Sequence, residues 1–144
     1  METDTMGKVL VTAKIENAGD LYLKSKGLLP AVELPSIEVN DALVDTGATM
    51  LSMPKSMIQQ LGLEPFRTRR AMTSAGTVTV QVFGGARLTI QGRVCTTDVS
   101  ELPDECPVLI GVIPLEQLDF IVDTSGHRLI GNPAHGGEHM IDLY

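Results

Sequence analysis

The segment Ala42-Leu43-Val44-Asp45-Thr46-Gly47-Ala48-Thr49 decides the fold, because it places an acidic residue at the end of a short apolar strand. Three apolar residues lead into Asp45, a small hydroxyl residue follows it, and Gly47 allows the backbone to approach its neighbours closely. The same three residue types also suit a solvated turn. The surrounding sequence favours more than a turn, because regular structure is predicted on both sides.

A short helix is predicted soon after this motif. Pro54 suits the first position of a helix, Met57, Ile58 and Leu61 share one face, and Gly62 is well suited to end it. A second short helix is predicted around Pro114. The motif therefore lies between an apolar strand and a helix.

Most of the remaining sequence predicts strands separated by turns. The clearest alternation of apolar and polar residues lies in residues 77–83, and it follows a turn signal at Ser74-Ala75-Gly76. Residues 17–40 lack such a pattern and predict an extended, irregular excursion around the apolar residues 28–32. The sequence thus predicts a mostly β protein with two short helices. Its other predicted strands are residues 8–15, 42–44, 87–90, 93–99, 107–110, 120–122 and 128–130.

Composition narrows the classes of function. The 144 residues suit one domain, and 43% of them are hydrophobic although only 3% are aromatic, so the predicted core is aliphatic. A net charge of -7 with scattered basic residues argues against nucleic-acid binding. No apolar run is long enough to span a membrane, and residues 1–4 do not resemble a secretory signal, so we expect a cytoplasmic protein. In that compartment Cys95 and Cys106 are expected to be reduced and buried.

Three parts of the chain together resemble the retropepsins, the retroviral-type aspartic proteases of clan AA, and in particular their compact cellular relatives in microbes. These parts are residues 43–49, the hairpin around Gly76, and Leu109-Ile110-Gly111; Leu61-Gly62-Leu63 and residues 115–118 add to the likeness. The resemblance covers about residues 7–132. It implies that residues 1–144 form a single-lobe domain with the acid-protease fold, a closed β-barrel that works as a homodimer.

The resemblance implies an aspartic endopeptidase that cleaves extended, partly apolar peptide segments and needs no cofactor or metal. Two copies of Asp45 would hold one water, one carboxylate accepting its proton while the other donates to the substrate carbonyl. Such a pair shares one proton, so a chain with one motif needs a second copy. Thr46 would hydrogen-bond across the dimer axis, and Gly47 completes the catalytic motif. The implied substrate contacts are Ala48, Thr49, Ile110, Gly111 and the tip of a flap at residues 70–82, formed by Ser74, Ala75, Gly76 and Thr77.

The sequence departs from viral members in one respect. They commonly carry an acidic residue after the first glycine and an arginine after the second, and these residues form an ion pair that braces the dimer. Here Thr49 and Met50 follow the first glycine, and Val112 and Ile113 follow the second. The tail at residues 140–144 is either a strand of the dimer interface or a frayed end.

Other motifs suggest alternatives that we rank lower. Asp123-Thr124-Ser125-Gly126 looks like a second catalytic motif, but it is predicted to form a turn between two strands. Residues 135–139 match the H-x-x-E-H pattern of zinc peptidases, yet two adjacent glycines oppose the required helix, and a solvated tail is predicted. Arg67, Arg69 and Arg70 predict a solvated loop, and from their position near the base of the flap they could instead contact acidic residues of a substrate. A catalytically silent dimeric module that binds peptides in the same groove stays open as an alternative function.

Overall fold

A computed structural model describes residues 8–30 and 33–143 of the chain. Residues 1–4, Ala31 and Val32 of the apolar patch, and Tyr144 of the tail lie outside the described residues. The described part is mostly β and contains three α-helices. In chain order its elements are β1 (Val9–Asn17), α1 (Ala18–Ser25), β2 (Ser36–Val44), β3 (Leu51–Pro54), α2 (Lys55–Leu61), β4 (Glu64–Thr73), β5 (Gly76–Ile90), β6 (Arg93–Leu102), β7 (Leu109–Ile110), α3 (Val112–Leu118), β8 (Phe120–Asp123), β9 (Arg128–Gly131) and a 3-10 turn (Pro133–His135).

The strands form two sheets. The larger sheet has the order β1-β2-β7-β3-β6-β5-β4, and β5 also pairs with β1. β8 and β9 form a separate antiparallel pair. At the centre of the larger sheet, β7 runs parallel to β2 and antiparallel to β3. This arrangement brings the end of β2, where the Asp45 motif begins, beside the end of β7.

The core is aliphatic, as the composition predicts. The alternating residues Val9, Val11, Ala13 and Ile15 of β1 are buried, and so are Leu88 and Ile90 of β5. The helix α2 buries Ile58 and Leu61 and ends at Gly62, which has a φ of 69°. The structure therefore confirms a half-buried strand over residues 8–15, a helix after the motif and the glycine that ends this helix.

The prediction of an irregular excursion over residues 17–40 is wrong in two respects. Ala18–Ser25 form a third helix, and β2 already begins at Ser36 and pairs with β1. The Asn17 side chain caps this helix by accepting a hydrogen bond from the Asp20 N–H at 3.1 Å. No residue of α1 is buried. The helix therefore has no buried apolar face, and an apolar face is the signal from which a helix is predicted.

Two further features are the state of the cysteines and the length and apolar character of the helices. Cys95 and Cys106 are half-buried free thiols, and burial raises the pKa of Cys95 to about 11. Over residues 8–30 and 33–143, no helix combines the length and the apolar character needed to cross a membrane.

Candidate active site

The Asp45 loop, residues 45–50, connects β2 to β3. Asp45 donates its backbone N–H to the carbonyl of Ile110 at 3.0 Å, and its Oδ1 accepts a hydrogen bond from the Gly47 N–H at 2.9 Å. The Ala48 N–H closes the turn on the Asp45 carbonyl at 3.0 Å. The Asp45 side chain is half-buried, whereas Thr46 and Gly47 are exposed. The loop therefore fixes one carboxylate oxygen against the backbone and presents the motif at the surface.

A second segment, from Gly111 to Ile113, holds this loop from behind. Gly111, Val112 and Ile113 donate their backbone N–H groups to the carbonyls of Met50 at 3.1 Å, Ala48 at 2.9 Å and Thr49 at 2.9 Å, respectively. The backbones are so close that a Cβ atom on Gly111 would lie 2.5 Å from the Met50 carbonyl oxygen. The second glycine of the predicted site thus has a steric reason to be glycine.

The structure brings most of the predicted site residues together. Asp45 to Thr49 form one loop, and Ile110 and Gly111 contact it through backbone hydrogen bonds. Both Ile110 and Gly111 are buried in this chain, so they support the loop from the core side. Their contact with substrate stays a prediction.

The predicted hairpin is present and longer than expected. β4 and β5 pair from Glu64 opposite Gly84 to Thr73 opposite Gly76, with Ser74 and Ala75 as the connecting residues. Thr73 Oγ1 accepts a hydrogen bond from the Ala75 N–H, and Gly76 has a φ of 117°, which favours glycine. All four predicted tip residues are exposed, and within the described chain the tip makes no hydrogen bond to the Asp45 loop.

Arg67, Arg69 and Arg70 are exposed, as predicted, but they form part of a strand and not a loop, which corrects the prediction. They lie on β4, the first strand of the hairpin. β4 is almost entirely exposed, so it carries no apolar alternation that would identify it as a strand. The three arginines give the base of the hairpin a positive charge, and Arg69 Nη1 lies 4.0 Å from the Met50 sulfur of the Asp45 loop.

The second acidic motif is a turn, as predicted. Asp123 ends β8, and its carboxylate accepts hydrogen bonds from the N–H groups of Ser125 and Gly126 and from Arg128. The Ser125 hydroxyl also donates a hydrogen bond to this carboxylate, and this bond contributes most to lowering the pKa of Asp123, with the other hydrogen bonds adding to it. The carboxylate is engaged within its own β-hairpin, on the smaller sheet, and not beside Asp45.

A buried carboxylate that the sequence did not reveal holds the C-terminal segment. Asp119 follows α3 and is only 6% exposed. Its Oδ2 lies 2.6 Å from His135 Nδ1 and accepts a hydrogen bond from the Met140 N–H at 3.1 Å, while Oδ1 accepts one from Asn132 Nδ2 at 3.2 Å. His135 Nε2 lies 3.1 Å from Asp142 Oδ1. His135 is therefore attached to the body of the protein, contrary to the prediction of a solvated tail.

Residues 135–139, which match the H-x-x-E-H pattern, do not form an α-helix in the structure. Pro133–His135 form a 3-10 turn, and His139 Nε2 lies 3.0 Å from the Gln117 carbonyl, so the two histidines have separate partners. Among the described residues, no group of three or more His, Cys, Asp or Glu side chains is placed to hold a metal ion.

We expect the Asp119–His135 contact to make stability depend on pH. The hydrogen bond that His135 donates to Asp119 lowers the pKa of Asp119 to about 2, and the same hydrogen bond, with the one to Asp142 second, raises the pKa of His135 above its ordinary value of 6.5. The stabilisation is thus complete between roughly pH 4 and pH 6.5, and is lost as the pH rises through the raised value or falls toward 2. The melting temperature of H135A should fall below that of the wild type most strongly in this window, and the difference should shrink as the pH rises through the raised pKa of His135.

The exposed His139 provides a control in the same segment. H139A removes a histidine but leaves the Asp119–His135 contact intact, so its melting temperature should follow that of the wild type across the pH range. A pH-independent difference between H135A and the wild type would contradict the assignment.

The mostly β fold and the Asp45 loop fit an aspartic protease, and a comparison with known protein families agrees. Residues 36–117, more than half of the chain, match the family described as "gag-polyprotein putative aspartyl protease". The chain belongs to this retropepsin-like family of aspartyl proteases. The matched region begins with β2 and ends in α3, so it contains the Asp45 loop, the hairpin and Gly111. No curated protein matches the chain.

Proposed function

We propose that the protein is an aspartic endopeptidase that acts as a homodimer, in which each subunit supplies Asp45 to a catalytic pair. The observation that carries this proposal is the Asp45 loop itself, which is held by Ile110 and Gly111 and presents one carboxylate per chain. The paired carboxylates would share one proton and activate a water between them. Membership of the aspartyl protease family supports the same chemistry.

The carboxylates of the described chain support the proposed second copy. Asp123, the other acidic residue in a similar motif, is engaged with Ser125, Gly126 and Arg128. A second chain related by a two-fold axis would bring one Asp45 against its copy, and the exposed Thr46 would hydrogen-bond across that axis. The pairing of β5 with β1 as well as with β6 supports the closed barrel that belongs to this proposal.

The hairpin of β4 and β5 would serve as the flap. The four residues of its tip are exposed, and Val78, which lies after the tip on the same face as Ala71, is 43% exposed, so apolar surface is left uncovered in the single chain. An extended peptide bound beneath the flap would cover such surface and hydrogen-bond to its main chain. Water would then be excluded from the paired carboxylates.

Cleavage of an unstructured protein such as casein, followed by mass spectrometry of the new termini, tests this function. We expect peptide-bond cleavage that a pepstatin-type inhibitor blocks and a chelator leaves unchanged. Binding of the inhibitor and of peptides without any cleavage would favour the silent peptide-binding module. Loss of cleavage on chelation would favour a metal-dependent peptidase instead.

A further inference from the structure

A small cleft lies at the base of the flap, beside the Asp45 loop. Its volume is about 200 Å³, and its lining includes Met50, Arg69, Ile113 and Gln117. Met50 ends the Asp45 loop, and Ile113 is tied to the same loop by the hydrogen bond from its N–H to the Thr49 carbonyl at 2.9 Å. The cleft is therefore built partly from the segments that hold Asp45. A larger depression of about 550 Å³, lined by residues such as Lys14, Thr89 and Leu129, includes none of the predicted site residues.

The two arginines of this cleft differ in their partners. Arg67 Nη2 pairs with Asp98 Oδ2 at 3.3 Å, and its guanidinium lies over the Phe66 ring. Arg69 has no carboxylate within salt-bridge distance in residues 8–30 and 33–143, and its Nη1 lies 4.0 Å from the Met50 sulfur. Thioether sulfur is a weak acceptor, so this contact does not satisfy the guanidinium. Since Arg67 and Asp98 neutralise each other, the cleft keeps one positive charge.

The pairing of β4 with β5 determines which face Arg69 occupies. Arg69 lies opposite Val80, and Ala71 on the same face lies opposite Val78. Arg70 lies opposite Thr79 on the other face, because successive residues of a strand point to opposite sides. Arg69 thus belongs to the apolar face of the hairpin and Arg70 to its polar face.

We propose that this cleft is a specificity subsite that binds an acidic side chain of the peptide substrate, with Arg69 as the residue that selects it. The proposal rests on the proposed function as a protease. A planar guanidinium binds a carboxylate through two parallel hydrogen bonds, and Met50 and Ile113 offer apolar contact to the methylene groups of Glu. The cleft is smaller than the sites that hold drug-sized ligands, and it suits one side chain. The positive charge of Arg69, which no carboxylate neutralises among the described residues, attracts a negatively charged side chain to the cleft.

Matched peptides test the subsite. Glu is placed in turn at each position around a cleaved bond, with Gln in the same place as the neutral control, and kcat/KM is measured for each pair. We expect one position at which Glu is preferred over Gln by about fivefold, the effect of a partly exposed ion pair. R69Q should abolish the preference, and R69E should replace it by a preference for Lys. R70Q removes the same charge from the opposite face and should keep the wild-type preference.

Binding to D45N separates this inference from the proposed function. The same Glu and Gln peptides are labelled and titrated with D45N and with D45N/R69Q, and fluorescence anisotropy gives their dissociation constants. A preference for Glu that depends on Arg69 supports the subsite even if the wild type cleaves nothing, in which case only the proposed function fails. Cleavage with equal kcat/KM for the Glu and Gln peptides, or an equal loss of preference in R69Q and R70Q, would overturn the subsite alone.

Discussion

Replacing Asp45 by Asn should lower kcat for peptide cleavage by about 10⁴-fold or more, because it removes both proton-transfer roles of the proposed catalytic pair. The fold should survive. Asn Oδ1 can accept the hydrogen bond that Asp45 Oδ1 now accepts from the Gly47 N–H at 2.9 Å, and the backbone bond to Ile110 does not involve the side chain. The measurement is steady-state cleavage of a peptide, together with the melting temperature and the oligomeric state of the variant.

Asp123 supplies a matched control, because it begins Asp123-Thr124-Ser125-Gly126, the other motif that looks like a catalytic one. D123N makes the same chemical change in the turn between β8 and β9, and we expect near wild-type kcat. Full activity in D45N, or inactivity of a folded D123N, would contradict the assignment of the catalytic carboxylate.

Replacing Gly111 by Ala should strongly impair both stability and activity. The added methyl group would lie 2.5 Å from the Met50 carbonyl oxygen and 2.6 Å from the Thr49 carbonyl carbon, and both are backbone atoms that cannot rotate away. The Gly111–Ile113 segment must then move away from the Asp45 loop, which breaks or stretches the hydrogen bonds to Ala48, Thr49 and Met50. Overpacking of this kind costs about 1–3 kcal/mol, so we expect the melting temperature to fall by several degrees.

The effect of G111A on kcat should exceed the loss of folded protein, because the loop that carries Asp45 is displaced in the molecules that remain folded. G19A is the matched control: at Gly19 in α1 the nearest atom to a new Cβ is the Asn17 side-chain oxygen at 3.3 Å. That variant should keep its activity and change the melting temperature little. If G111A matched G19A in both measurements, the close packing behind the Asp45 loop would not matter for function.

Much of the fold could be predicted because local patterns and final burial agree. Residues 9–15 alternate and pair as half-buried β1, and Gly62 adopts the left-handed backbone that ends α2. The turn at Asp123 is likewise local, since its carboxylate is satisfied by residues within five positions along the chain. In each case the residues that determine the element lie close together in the sequence.

The elements that were missed lack such a local signal. β3, Leu51–Pro54, is buried at all four positions and therefore shows no alternation. β4 is nearly all exposed and carries three arginines, and α1 buries no residue. β3 depends on pairing with the distant strands β6 and β7, β4 on pairing with β5, and α1 on a cap at Asn17, none of which periodicity reveals.

The candidate site was predicted in part for the same reason. The motif at residues 45–47 is continuous in sequence, so its turn and its acidic residue could be recognised directly. The contact of Gly111 with Met50 and the contacts of Asp119 with Asn132, His135 and Met140 join residues that are far apart along the chain. Such contacts follow from the topology of the sheets and from the path of the tail, and no spacing in the sequence predicts them.

The central claim is that two copies of Asp45 form one active site, and mixed dimers test it most directly. Equal amounts of wild-type protein and D45N are unfolded together, refolded together and assayed at a fixed total concentration. If each active site needs both aspartates, only dimers with two wild-type chains are active, and the mixture should show about one quarter of the wild-type activity. About one half of the wild-type activity would mean that each chain works alone, and it would contradict the shared catalytic pair.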